Sequence, residues 1–236
     1  MLLLAKKYLK QYYDPFKRLK TSFSYQKHDF HLKSSSQVFV DIYNDDYWNS
    51  MESKSGVGST LEATSVIREQ LSKIIEDYSI KNMLDVPCGD FNWMKAVQKK
   101  CNYIGGDIVT DVINRNNQLY ASETVQFQKI DIASDPIPKV DLIFCRDCLQ
   151  HISDDKVKKA LYNFKNSGSK YLMVTSYPNT WRNHDIYDGD YRPLNLLIKP
   201  FCLSNYIFKI REAWKVEGVE FDKTMYLFDL TSMNLI

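Results

Sequence analysis

The sequence has 236 residues, 44% hydrophobic and 25% charged, with a net charge of +2. This suits a folded globular protein of one α/β domain plus an appendage, and the near-neutral charge makes no case for a nucleic-acid partner. No apolar run approaches the length needed to cross a membrane. The opening Leu2-Leu3-Leu4-Ala5 is too short for a secretory leader core, so a cytoplasmic location is expected. Five scattered cysteines, an odd number, do not suggest a disulfide framework.

Residues 1–35 are basic and aromatic and are read as an N-terminal arm or helix, separate from a domain at 36–236. Leu2, Leu9, Tyr12, Tyr13 and Phe16 share a helical face. That face packs on the domain or a second subunit, or makes weak contact with an anionic membrane surface. Lys33 to Ser36 reads as a linker. Residues 37–50 are rich in aromatics without a clear period. SGVGST at 55–60 is a flexible loop, and Ser59 to Glu62 fits a helix capping box. Leu61, Val66, Ile67, Leu71, Ile74 and Ile75 recur at helical spacing, predicting a helix over 61–78.

The sequence then reaches MLDVPCGDFNW at 83–93: a short buried strand, stopped by Pro87 and Gly89, with a helix expected from 91 to 97. A strand that turns through glycine into a helix presents backbone N–H groups at the strand's C-terminal edge, where α/β sheets bind nucleotides. YIGGDI at 103–108 is the second strand. It ends in Asp107, placed to accept both ribose hydroxyls. A helix follows over 109–120, a strand over 125–132 and another over 140–145. Strand four runs into CRDCLQH at 145–151, the densest chemistry in the chain. Cys145, Cys148 and His151, with Cys88, have the letters of a metal site, and C-x-x-C those of a redox pair, but the spacing supports neither well. Residues 153–164 form a helix that Ser153 is placed to cap. Strand five is 170–176. The long polar and aromatic stretch 177–205 is expected to bind substrate, because long loops in compact domains usually serve function. Segments 206–216 and 224–230 are β-rich.

LDVPCGD followed by YIGGDI resembles the first two motifs of class I S-adenosylmethionine-dependent methyltransferases. Pro87 and Phe91 replace two of that family's three glycines, which argues against a pyrophosphate-binding dinucleotide site. The resemblance implies a Rossmann-like α/β fold: a seven-stranded, mostly parallel sheet with an antiparallel last strand and helices on both faces. It implies S-adenosylmethionine as cofactor and S-adenosylhomocysteine as product. By resemblance, Asp85, Val86, Pro87, Cys88, Gly89 and Trp93 line the cofactor, as do Asp107, Ile108, Ile132 and Arg146. Asp131 lies near the adenine amino group, and Arg68 pairs with the methionine carboxylate. The SGVGS loop closes over the methionine end. His151, ahead of Asp147 and then His184, is the expected catalytic base. Asn183, Asp185, Asp188 and Arg192 are expected to bind the acceptor, and no metal is expected. SGVGS, IREQL, LDVPCGDFNWM, YIGGDI, VDLIFCRDCLQHIS and RPLNLLIKPF together resemble a bacterial subgroup, some of whose members are associated with surface-glycan or capsule modification. The expected activity is O-methylation of a polar small molecule or glycan. The rival readings are a non-catalytic cofactor-binding module and a different nucleotide-binding enzyme.

Overall fold

The computed structural model describes residues 30–48, 50–212, 215–216, 219–220 and 222–233. The arm reading therefore lies mostly outside the described residues. Helix α1 (Ser35–Asn44) begins where a linker was expected: Ser34 caps it, its hydroxyl accepting from Gln37 N at 3.3 Å. Val38 and Ile42, one turn apart, are buried and give the aromatic stretch its helical period. Helix α2 (Ser65–Asp77) buries Ile67, Leu71, Ile74 and Ile75 on one face. Its expected capping box does not form. Residues 60–64 make a separate turn, in which Thr60 Oγ1 accepts from Ala63 N, and the helix starts at Ser65.

Five parallel strands follow: β1 (Asn82–Asp85), β2 (Asn102–Asp107), β3 (Val125–Lys129), β4 (Leu142–Cys145) and β5 (Tyr171–Ser176). β6 (Tyr206–Arg211) is followed by a short hairpin of β7 (Lys215–Val216) and β8 (Val219–Glu220). β9 (Thr224–Asp229) then runs antiparallel between β5 and β6. The sheet order is β3-β2-β1-β4-β5-β9-β6. Because strand side chains alternate, Leu84, Ile143 and Cys145 face one hydrophobic core. Met83, Leu142 and Phe144 face the other. Helix α4 (Asp154–Asn166) covers the first face through Val157, Ala160, Leu161 and Phe164, and α2 covers the second. Helix α3 (Thr110–Tyr120) follows β2 and buries Val112 and Ile113.

The helix expected at 91–97 is only a 3-10 turn, Met94–Ala96. Gly89 and Phe91 both adopt positive φ, +52° and +59°, so no right-handed helix can start there. Phe91 instead turns into a cluster of aromatic rings with Tyr103, Tyr120 and Phe127.

Candidate active site

The strand order reverses between β1 and β4. At such a switch point the loops beyond the strands' C-terminal ends part and leave a crevice. Its two lips are the turn after β1 (86–92) and the turn after β4 (146–150).

The first lip carries the acids. Asp107, buried at the end of β2, accepts from Gly89 N at 3.1 Å and Val109 N at 3.0 Å. Burial pushes its carboxyl up to about 6 despite those bonds. Asp85 is buried beneath the turn. Burial raises it to about 7, while the Tyr103 hydroxyl, donating at 2.6 Å, pulls the other way. Asn116 donates to Gly89 O at 2.8 Å and holds the turn from behind. Cys88 is buried, its thiol raised by the same desolvation, and its backbone N–H bonds Gly106 O. Beside this lip lies an apolar recess lined by Val86, Pro87, Ile108, Ile130 and Ile132, with Asp131 on its edge. Ser35 and Phe39 of α1 close its outer side.

The second lip is a quartet of charge in which Arg146, Glu212 and Lys223 are buried and Asp147 is partly exposed. Arg146 grips Glu212, with Nη2 to Oε2 at 2.7 Å and Nε at 3.0 Å. Its guanidinium lies 5.3 Å over the Trp93 ring and 3.1 Å from Asp147. Lys223 donates to Asp147 at 2.7 Å and stands 3.6 Å from Glu212. Two cations and two anions thus cancel where single buried charges would be prohibitive. Burial by itself would raise Asp147, but Lys223 and Arg146 hold its carboxyl well below the usual carboxylate range. Asp147 is a bound anion at neutral pH rather than a proton acceptor. Glu212 and Lys223 were not singled out from the sequence. The one available signal is a charge at the end of an apolar strand, the edge where α/β sites form.

His151 stands at the end of this lip. Its Nδ1 lies 3.0 Å from the carbonyl oxygen of Asp190. A carbonyl cannot donate, so Nδ1 carries the proton and Nε2 carries the lone pair. Burial lowers the imidazole pKa below its ordinary value, which keeps the ring neutral near pH 7. The rings of Trp48 and Tyr191 lie 5.5 and 5.6 Å from it.

The loop residues expected to bind the acceptor have partners within the protein. Asn183 donates to the carbonyls of Asn195 and Lys199. Asp185 accepts from Asp154 N at 2.7 Å and Asp188 from Ser153 N at 3.0 Å, so these two acids, and not the Ser153 hydroxyl, cap α4. Arg192, fully buried, donates to Ile152 O and to Asp154. His184 is exposed on the same loop. Arg68 donates to Leu61 O at 3.0 Å, and its Nε is buried without a hydrogen-bond partner. Among the described residues no three His, Cys, Asp or Glu side chains are grouped to hold a metal ion.

Residues 83–167 match a family described as a methyltransferase domain. No curated protein matches the chain in sequence. Solved structures match in fold. Human N-acetylserotonin methyltransferase in complex with SAM is 15% identical at a TM-score of 0.56, over 89% of this chain and 65% of that one. The N-methyltransferase NodS from Bradyrhizobium japonicum, in complex with S-adenosyl-L-homocysteine, is 12% identical at 0.56, over 80% of this chain and 98% of that one. An S-adenosylmethionine-dependent methyltransferase from Clostridium acetobutylicum is 18% identical at 0.51, over 69% and 89%.

Proposed function

We infer that this chain is a methyltransferase of the class I fold, and that it moves the methyl group of S-adenosylmethionine onto a hydroxyl of a polar acceptor. A sugar, a nucleotide sugar or a surface-glycan precursor is the acceptor class that suits the site best. The observation that carries this reading is the His151–Asp190 contact, which presents a neutral imidazole with its lone pair on Nε2.

The residues present suit the cofactor. The recess of Val86, Pro87, Ile108, Ile130 and Ile132 offers apolar faces for a purine, and Asp131 an acceptor for its amino group. Asp107 offers a carboxylate for ribose hydroxyls. Asp107 places negative charge on the first lip, while the charges of the second lip cancel among themselves, and that favours a cationic ligand. When bound, S-adenosylmethionine supplies an electrophilic methyl group. The chain aligns the acceptor and excludes water. His151 Nε2 takes the hydroxyl proton as the oxygen becomes nucleophilic. The aromatic rings of Trp48 and Tyr191 beside His151 suit the C–H faces of a sugar ring.

His151→Gln is expected to bind S-adenosylhomocysteine as the wild type does, within about twofold, and to lose about 10²–10⁴ in kcat. Asp107→Ala is expected to do the reverse, weakening binding first. Calorimetry and single-turnover rates with a panel of sugars and nucleotide sugars separate the two. The imidazole must be neutral to accept a proton, and its pKa lies below 6.5, so the acid limb of kcat should also lie below pH 6.5 and vanish in His151→Gln. Full turnover by His151→Gln would remove His151 as the base.

A further inference from the structure

Residues 52–59 lie across the crevice and are held on both lips. On the first lip, the Asp90 carboxylate accepts from Lys54 N at 2.8 Å and from Ser53 Oγ at 2.9 Å. Asp90 N donates back to Ser55 Oγ at 3.2 Å. Asn92 donates to Ser59 O at 3.2 Å and to Glu52 Oε1 at 2.8 Å. On the second lip, Arg146 donates to Gly58 O at 3.0 Å. Behind Arg146 stand Glu212 and Lys223.

The fit is close at both ends. A Cβ on Gly89 would lie 2.2 Å from Ser55 Oγ, and one on Gly58 would lie 3.3 Å from the Asp147 carboxylate. The lack of a side chain at Gly89 therefore serves this segment directly. Asp90 and Asn92, on either side of Phe91 in the same turn, supply its fastenings.

We propose that Asp90, Asn92 and Arg146 are positioning residues that fasten 52–59 as a strap over the crevice, walling in the methionine end of the bound cofactor. This rests on the methyltransferase reading above. Three charged or polar side chains from two different strand ends converge on one stretch of backbone. A surface loop satisfying only its own turns would not need them. With the strap loosened, bound ligand escapes faster.

The test uses the full chain and two variants. Asp90→Asn weakens the fastening from the lip side. Ser53→Ala weakens it from the strap side and leaves the β1 turn intact. Tryptic cleavage after Lys54 in the free protein reads strap opening without any ligand. Dissociation of S-adenosylhomocysteine reads the wall. Both variants are expected to be cut faster after Lys54 and to hold S-adenosylhomocysteine about tenfold more weakly, through a faster off-rate. Unchanged cleavage in both would overturn the fastening. Faster cleavage with unchanged S-adenosylhomocysteine affinity would overturn the wall. If the wild type bound no S-adenosylhomocysteine, the methyltransferase reading would fall, and the wall with it, whatever the cleavage rates.

Discussion

Tyr103 and Asp85 show how a single hydroxyl keeps a buried carboxyl in place. Burial has raised Asp85 to about 7, and the Tyr103 hydroxyl at 2.6 Å is its side-chain donor. The sign follows from the raised value. The folded state binds this proton more tightly than the unfolded chain, so the contribution of Asp85 to stability falls as pH rises towards 7. Above that, the ionised carboxylate depends most on the hydroxyl. Tyr103→Phe is therefore expected to cost about 1–3 kcal/mol at pH 8 and markedly less at pH 5, where the carboxyl is protonated. Urea unfolding at both pH values checks this; equal losses would mean that the hydroxyl matters to packing alone. At this scale the sequence was informative where the chain itself makes the site. The place of Asp107 at the crevice edge is legible because it ends an apolar strand, and that of His151 because it follows one. Glu212 and Lys223 were not, because they meet Arg146 and Asp147 only after two strands have crossed the sheet. Local spacing carries no trace of that pairing.

The parallel strands were legible for a physical reason. β4 and β5, buried on both faces, read as nearly continuous apolar runs in LIFC and YLMV, while the edge strand β3 reads by alternation in VQFQK. The missing helix after β1 was not, because a phenylalanine at positive φ is imposed by its aromatic neighbours and not by its own preference. In the loop 177–205, too, distant neighbours decide what the side chains do. Its acids look like ligands until their partners, the first amides of α4, are seen. The same loop also seats α1. Gly189, at φ +90°, lies so close beneath α1 that a Cβ would come within 2.6 Å of Val38 and 3.0 Å of Phe30. Asp188 beside it accepts from Ser35 at 2.7 Å and pairs with Lys156. Gly189→Ala combines a strained backbone with a clash and is expected to cost on the order of 1–3 kcal/mol. The loss should be concentrated in α1, so hydrogen exchange there should accelerate while β1 and β4 stay protected. Uniform acceleration across the sheet would show that α1 is no separate unit.

At the scale of the whole molecule, the site belongs to both ends of the described chain. The strap comes from residues before α2, and its anchor Arg146 from the middle. The groups that fix Arg146 come from the end of β6 and the start of β9. β9 must slide between β5 and β6, since it bonds to both. A chain stopped after residue 205 keeps all five parallel strands but lacks Glu212, Lys223 and both antiparallel strands. It is expected to bind no S-adenosylhomocysteine by calorimetry, and binding near wild-type strength would show that the quartet is dispensable. Synthesis on the ribosome runs in one direction, so the strap emerges early and waits for its last supports. During that interval Arg146 would have Asp147 beside it but not Glu212, and Asp147 would lack Lys223. If the quartet is needed for binding, an unfinished polypeptide would be unable to hold the cofactor until the final strand finds its slot.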